Sequence, residues 1–355
     1  MNPVILNDMS EMFASEIVDW SRFHGKTVLV TGAYGMLASY IVFMLIFLNE
    51  TVPGANIRIL ALGRSRKKLA ARFDEYLGKD YFVPVIQDVC ASLDAIPRAD
   101  FIIHATSLAS PHFYGVCPVD VALPNVTGTL GLLEKARLDA SEGLLFFSSL
   151  AAQGLIEGDR VIAEQDMGYL DPMDIRSCYG ESKRMGENLC KSYHYQYGVS
   201  AKVVRPTHTY GPTMDLNDSR VFSNFVADAV AGRDIKLLSD GSGVRVFCYL
   251  SDATLGYFKV LLDGLPGEAY NVTEASNTSS IKDLAVLIAR LSGSRTQVIS
   301  ASRTAGDSYI ESSSPIEHPV LSSDKLKHLG WECRVGLEEG FRRTIESFVG
   351  RNFAS

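Results

Sequence analysis

The sequence is short of positive charge. Its 34 lysines and arginines face 41 aspartates and glutamates, a net charge of -7, and no basic block or basic–aromatic interleaving occurs. Nucleic acid is therefore not an expected partner. No C-x-x-C pair occurs among its six cysteines, Cys90, Cys117, Cys178, Cys190, Cys248 and Cys333. Buried free thiols in a reducing compartment are expected, with no disulfide frame and no metal. A membrane-length apolar run is also missing. The stretch from Met36 to Leu48 falls short of the roughly 20 residues a span requires and reads as a helix buried against a sheet. The first twenty residues lack the basic start of a signal peptide. They read as a short amphipathic helix packed outside the main core, residues 1–24 forming a helical extension of a cytoplasmic protein. Internal repeats and low-complexity tracts are absent.

What is present is alternation. Apolar runs at "KTVLVTGA", "NIRILALG", "FVPVIQDV", "ADFIIHAT", "GLLFFSS" and "AKVVRP" are separated by helical patterns. Continuous apolar strands between helices mean a parallel sheet covered on both faces, an α/β doubly wound fold. A dinucleotide-binding domain is expected over 25–206, completed by about 244–262. After Pro206, loops rich in Gly, Pro, Asp and Ser alternate with short helices, so 207–355 reads as a smaller substrate lobe.

The first strand runs into "TGAYGMLA", Thr31 to Ala38. Gly32 and Gly35 sit where a strand turns into a helix and the backbone must approach a pyrophosphate on the helix N-terminus. Ala38 keeps helix and strand close, and Tyr34, Met36 and Leu37 complete the turn. The second strand ends in Gly63 and Arg64, where an NAD site usually places an acidic residue. An arginine favours the extra phosphate of NADP, so NAD(P) is expected with NADP preferred; the alternative is that Arg64, Arg66, Lys67 and Lys68 are a solvated helix start. Asp88, followed by Val89, is a candidate for the adenine amine. "CYGESK" places Tyr179 and Lys183 on one helix face. A lysine cation there lowers the phenol pKa and makes it a usable acid–base group, while Ser149 at the end of the fifth strand shares the substrate proton.

With these motifs in this order, and with "NVTGT", "RPTHTYGP", "RVFSNF", "RVFCYLSDA" and "AYNV" beside them, the chain from about Lys26 to Phe348 resembles the extended short-chain dehydrogenase/reductase family of nucleotide-sugar epimerases and dehydratases. "HATSLASPHFYGVCP" and "GSGVRVFCYLSD" are similar to its UDP-glucuronate decarboxylase branch. The resemblance implies a nucleotide-sugar substrate, surface-polysaccharide precursors as products, and a homodimer packed through helices starting near Asn125 and Tyr179. It implies that Tyr179 is the base, that Lys183 holds the nicotinamide ribose, and that Ser149 is the catalytic hydroxyl. Asn125 orients a helix and a relay water at the cofactor. Ala105, Thr106, Ser107, Pro206 and His208 line the cofactor. Ser107, Ser149, His208, Arg220 and Arg245 meet the substrate, the arginines as phosphate clamps.

One absence separates this chain from that pattern. The dehydratases carry Asp-Glu after the catalytic hydroxyl, and the decarboxylases carry a glutamate two positions after it. Here those positions are Leu150 and Ala151. Plain hydride movement at sugar carbon 4, by a 4-epimerase or a 4-keto reductase, needs no carboxylate there. The alternative is a decarboxylase or 4,6-dehydratase whose carboxylate comes from Glu157, Asp159, Glu164 or Asp166. A non-catalytic NAD(P) sensor is the alternative of another class. His208 stands where the family commonly has asparagine and is expected to donate to substrate or titrate near neutral pH.

Overall fold

A computed structural model describes residues 1–158, 160–293, 296–300 and 320–349. Seven strands form the central sheet: β1 (Thr27–Thr31), β2 (Arg58–Gly63), β3 (Phe82–Ile86), β4 (Phe101–His104), β5 (Gly143–Phe147), β6 (Ala201–Pro206) and β7 (Ala269–Val272). Every pairing is parallel and the spatial order is 3-2-1-4-5-6-7. The doubly wound α/β fold expected from the sequence is the one observed. β4 and β5 are buried along their whole length, which is why they read as unbroken apolar runs. The order reverses between β1 and β4, and a doubly wound sheet opens a crevice above the strand ends at that point.

The apolar stretch after β1 is the helix Met36–Thr51, buried without interruption from Ala38 to Leu48. It packs on β1 and β2 and is covered by the helices Pro3–Ala14 and Leu250–Asp263. A helix enclosed on all sides has no polar face. Among the described residues no helix is long and apolar enough to cross a membrane.

The N-terminal segment differs from expectation. Ile5, Met9 and Met12 of the helix Pro3–Ala14, with Trp20 and Phe23 after it, belong to the main core cluster, together with Phe43, Phe47 and Phe258. The segment lies in the core because it packs its apolar side on both helices, Met36–Thr51 and Leu250–Asp263. Cysteine burial also departs from expectation: all six thiols are free, but only Cys190 and Cys248 are fully buried.

Beyond β6 the chain builds a second layer around a three-stranded sheet of His208–Tyr210, Val244–Tyr249 and Thr278–Ser280. Phe222, Phe225, Phe247, Ile288 and Phe341 fill its core. The chain returns to the large sheet with the helix Leu250–Asp263, the edge strand β7 and the short helix Asp324–Lys327, which packs on β7.

Candidate active site

The turn after β1 lies directly against the end of β4. Gly32 has φ +66°, and a Cβ there would stand 3.0 Å from the Thr106 Cα and 3.1 Å from the Ala105 carbonyl oxygen. Positive φ and this contact together demand glycine. Gly35 N–H donates to the Gly32 carbonyl at 2.8 Å. Gly35 then caps Met36–Thr51 with no side-chain bond to the first-turn amides, which leaves those amides available to an anion. Beside them, the Thr106 and Ser107 hydroxyls are buried without a hydrogen-bond partner. Unmet donors next to an open helix N-terminus fit a bound dinucleotide.

Above the strand ends is a cavity of about 1350 Å³, larger than the usual volume for one drug-sized ligand, about 300–1,000 Å³. Tyr34, Gly35, Met36, Leu37, Ala105, Ser107, Pro206 and His208 line one part of it; Ser149, Tyr179, Lys183, Arg220 and Arg245 line another. The second layer closes over it through Thr213, whose hydroxyl donates to the Met36 carbonyl at 3.0 Å, and through the Ser110 and Ser219 hydroxyls, 2.9 Å apart.

Ser149 ends β5 and caps the short turn Leu150–Gln153, its Oγ accepting from Ala151 N–H at 3.2 Å. Tyr179 and Lys183 both come from the helix Cys178–Tyr197 and both are buried. Burial raises the Tyr179 pKa, and a hydrogen bond with the Ser149 hydroxyl and the charge of Arg220 pull it back down. The Lys183 amine donates to the Phe147 carbonyl at 2.6 Å and lies 5.6 Å from the Tyr179 ring centroid. Burial lowers it to about 7, against the upward pull of the Glu187 carboxylate. Glu187 in turn accepts from Ser148 and from both Arg205 Nε at 2.8 Å and Nη2 at 2.6 Å.

Several expectations change. The groups that lower the Tyr179 pKa are Ser149 and Arg220; Lys183, half-neutral and turned to a carbonyl, is not among them. His208 does not titrate near neutrality: burial and the charges of Arg245 and Arg220 bring it down to about 3, so it is a neutral imidazole. Asn125 stands behind the cavity, its amide donating to the Val121 carbonyl and the Ser182 hydroxyl at 3.0 Å each; it ties one helix start to another. Val89 is core, packed with Leu29, Leu60 and Ile102. Asp88 accepts from Cys90 N–H at 2.8 Å and faces Arg64 at 3.5 Å, so its carboxylate is shared with its own loop. Arg64 is exposed and is not among the residues that line the cavity.

Two lining residues carry no legible motif. Lys68 reaches over the Tyr34 ring, 6.0 Å from its centroid, beside the end of β2. Tyr114 stacks on Tyr179, with centroids 5.1 Å apart and planes 13° from parallel, and its hydroxyl donates to the Ala109 carbonyl at 3.0 Å. No spacing rule connects a tyrosine of the short helix His112–Val116 to a helix 65 residues on (114 to 179).

Two of the carboxylates that follow Ser149, Glu164 and Asp166, are committed elsewhere. Glu164 accepts from Asn271 N–H at 2.8 Å. Asp166 pairs with Arg160 at 3.0 Å and accepts from Ala163 N–H at 2.8 Å. Glu157 is exposed and away from the cavity lining; Asp159 lies outside the described residues.

With that geometry, the family model for the NAD dependent epimerase/dehydratase family matches residues 28–273. The chain belongs to the NAD dependent epimerase/dehydratase family. It is 31% identical over 326 residues to UDP-glucuronic acid decarboxylase 1 of Xenopus tropicalis, covering 91% of this chain and 72% of the relative. It is 30% identical to UDP-glucuronic acid decarboxylase 3 of Arabidopsis thaliana, over 90% of this chain and 88% of the relative. Its fold superimposes on the UDP-glucose 4-epimerase of Thermotoga maritima solved with UDP-glucose, at a TM-score of 0.76 and 22% identity, covering 91% and 98% of the two chains. Membership makes this chain an NAD-dependent enzyme of the epimerase/dehydratase type.

Proposed function

We propose that this enzyme oxidises carbon 4 of a nucleotide sugar and reduces it again, as a 4-epimerase does. One observation carries this: Ser149, Tyr179 and Lys183 converge on a cavity whose neighbouring positions, Leu150 and Ala151, hold no carboxylate. Tyr179, whose pKa burial raises and Ser149 and Arg220 partly offset, takes the sugar hydroxyl proton and gives it back. Ser149 aligns that hydroxyl. Arg220, held by Asp218 at 2.7 and 3.0 Å, and Arg245 supply the positive charge that nucleotide phosphates need. Ser107, Pro206 and His208 would hold the nicotinamide, which when bound would supply the hydride acceptor and donor for carbon 4. Arg64 and Lys68, with no acid at the end of β2, favour the 2′-phosphate of NADP over a free ribose diol.

Decarboxylation is the second reading, favoured by the named activity of the relatives. A 4-keto uronate can lose carbon dioxide with the ketone as electron sink, so Ala151 does not by itself forbid it. The helices Pro118–Leu123, Thr129–Asp139 and Cys178–Tyr197 expose Val119, Leu123, Leu130 and Met185, apolar surface suited to a homodimer.

The test is incubation with UDP-glucose, UDP-galactose and UDP-glucuronate, read by proton NMR and mass spectrometry. Interconversion at carbon 4 without net cofactor consumption is expected. A pentose product with carbon dioxide release establishes the second reading. Net NADPH consumption with a 4-keto sugar nucleotide makes it a reductase.

A further inference from the structure

The side of the cavity that follows Ser149 is an apolar wall. Leu150, Ala151, Leu170, Val246 and Leu321 line it. The wall has depth: Leu150 packs on a separate cluster of Ile156, Ile162, Val246 and Leu321. The two arginines that face His208 are tied by their own neighbours. Arg220 is clamped by Asp218 and lies over the Phe222 ring. Arg245 donates to the Val244 carbonyl at 2.8 Å. Both act on His208.

We propose that the sugar accepted here carries a methyl group at carbon 5, that is, a nucleotide-linked 6-deoxyhexose rather than a hexose or hexuronate. This rests on the proposed carbon 4 chemistry. If Ser149 and Tyr179 hold the carbon 4 oxygen, the next two residues, Leu150 and Ala151, meet what projects from a neighbouring carbon. Carbon 3 carries only a hydroxyl, whereas carbon 5 carries the exocyclic carbon that reaches a wall. A hydroxymethyl group there loses its water partners without replacement, and a carboxylate loses far more. A methyl group loses nothing polar and gains burial. An apolar pocket discriminates against one added hydroxyl by up to roughly 100-fold.

The experiment compares kcat/KM for the UDP- and dTDP-linked forms of 6-deoxyglucose, glucose and glucuronate, with exchange at carbon 4 followed by NMR. About a 10- to 100-fold preference for the 6-deoxy sugar over glucose is expected, and a larger one over glucuronate. Leu150→Asn is expected to narrow the preference between 6-deoxyglucose and glucose. Calorimetric affinities of the same six compounds for Tyr179→Phe, which needs no turnover, are expected to rank in the same order. Equal or better use of glucose or glucuronate overturns the apolar-wall assignment while leaving carbon 4 chemistry intact. Failure of all six compounds to react overturns both.

Discussion

At the scale of single residues, the site depends on where one carboxylate stands. Lys183 is near 7 because burial lowers it and Glu187 holds it up. At pH 7 it is therefore about half protonated. Glu187→Gln removes the upward pull while keeping a hydrogen-bond acceptor for Arg205, so the lysine pKa falls and less of the cation is present at neutral pH. If the cation is the active form, kcat falls several-fold at pH 7–8, and the loss shrinks towards pH 6 as protonation is restored. A pH–rate profile checks this; a purely structural change would not move the alkaline limb. Arg64 gives a second prediction. Its truncation to alanine is expected to weaken NADP about 10-fold, the order of one charge-assisted hydrogen bond, with little change for NAD. Fluorescence titration reads both, and wild-type binding of NAD as tight as NADP would remove the preference. The glycines, Ser149, Tyr179 and Lys183 were legible because their chemistry is tied to fixed spacing on a strand end or helix face. Tyr114 and Lys68 were not, because contacts to a ring on a distant segment leave no local pattern. The neutrality of His208 was also hidden, since it arises from burial and from two arginines that only the fold brings close.

At the scale of elements, six strands were legible because full burial writes itself as an unbroken apolar run. β7 was harder to place. "AYNV" is four residues long and follows a lobe whose strands pair elsewhere, and nothing local says that it returns to the edge of β6. Helix length also escaped in part. The charged pattern after β2 suggests a helix through Gly78, yet the α-helix ends at Phe73 and continues only as one tight turn, Asp74–Tyr76. The β1 turn is where element geometry makes the clearest demand. Gly32→Ala places a Cβ at positive φ and 3.0 Å from backbone at Thr106, which cannot rotate away. A loss of roughly 1–3 kcal/mol is expected, with β1 and β4 pushed apart at the dinucleotide cradle. Thermal denaturation reads the stability change, and mass spectrometry of the denatured protein reads whether cofactor still co-purifies.

At the scale of the whole molecule, one buried acid outside the cavity lining joins the two layers. Asp8, fully buried in the N-terminal helix, accepts from the Tyr40 hydroxyl of the helix after β1, from the Tyr249 hydroxyl at 2.7 Å, and from Arg343 of the helix Leu337–Phe348 at 2.8 Å. Burial raises its pKa, while the two phenols and the guanidinium favour the charged form. The residue thus connects the dinucleotide-binding layer to the strand and helix that carry the other wall of the cavity. Asp8→Ala leaves two buried phenols without their acceptor and takes one carboxylate from Arg343, which retains Glu11 and Glu339. Removing one member of a buried charged pair typically costs about 3–5 kcal/mol; with Arg343 still partly paired, the lower end is expected, a fall in Tm of roughly 5–10 °C. Asp8→Asn, which keeps one acceptor oxygen, should lose less. Because the acid bridges the layers without touching the cavity, KM for the nucleotide sugar is expected to rise more than kcat falls. Denaturation curves and steady-state kinetics on the two variants check both statements. A stable Asp8→Ala protein with unchanged KM would mean that the layers are held together by the apolar core alone.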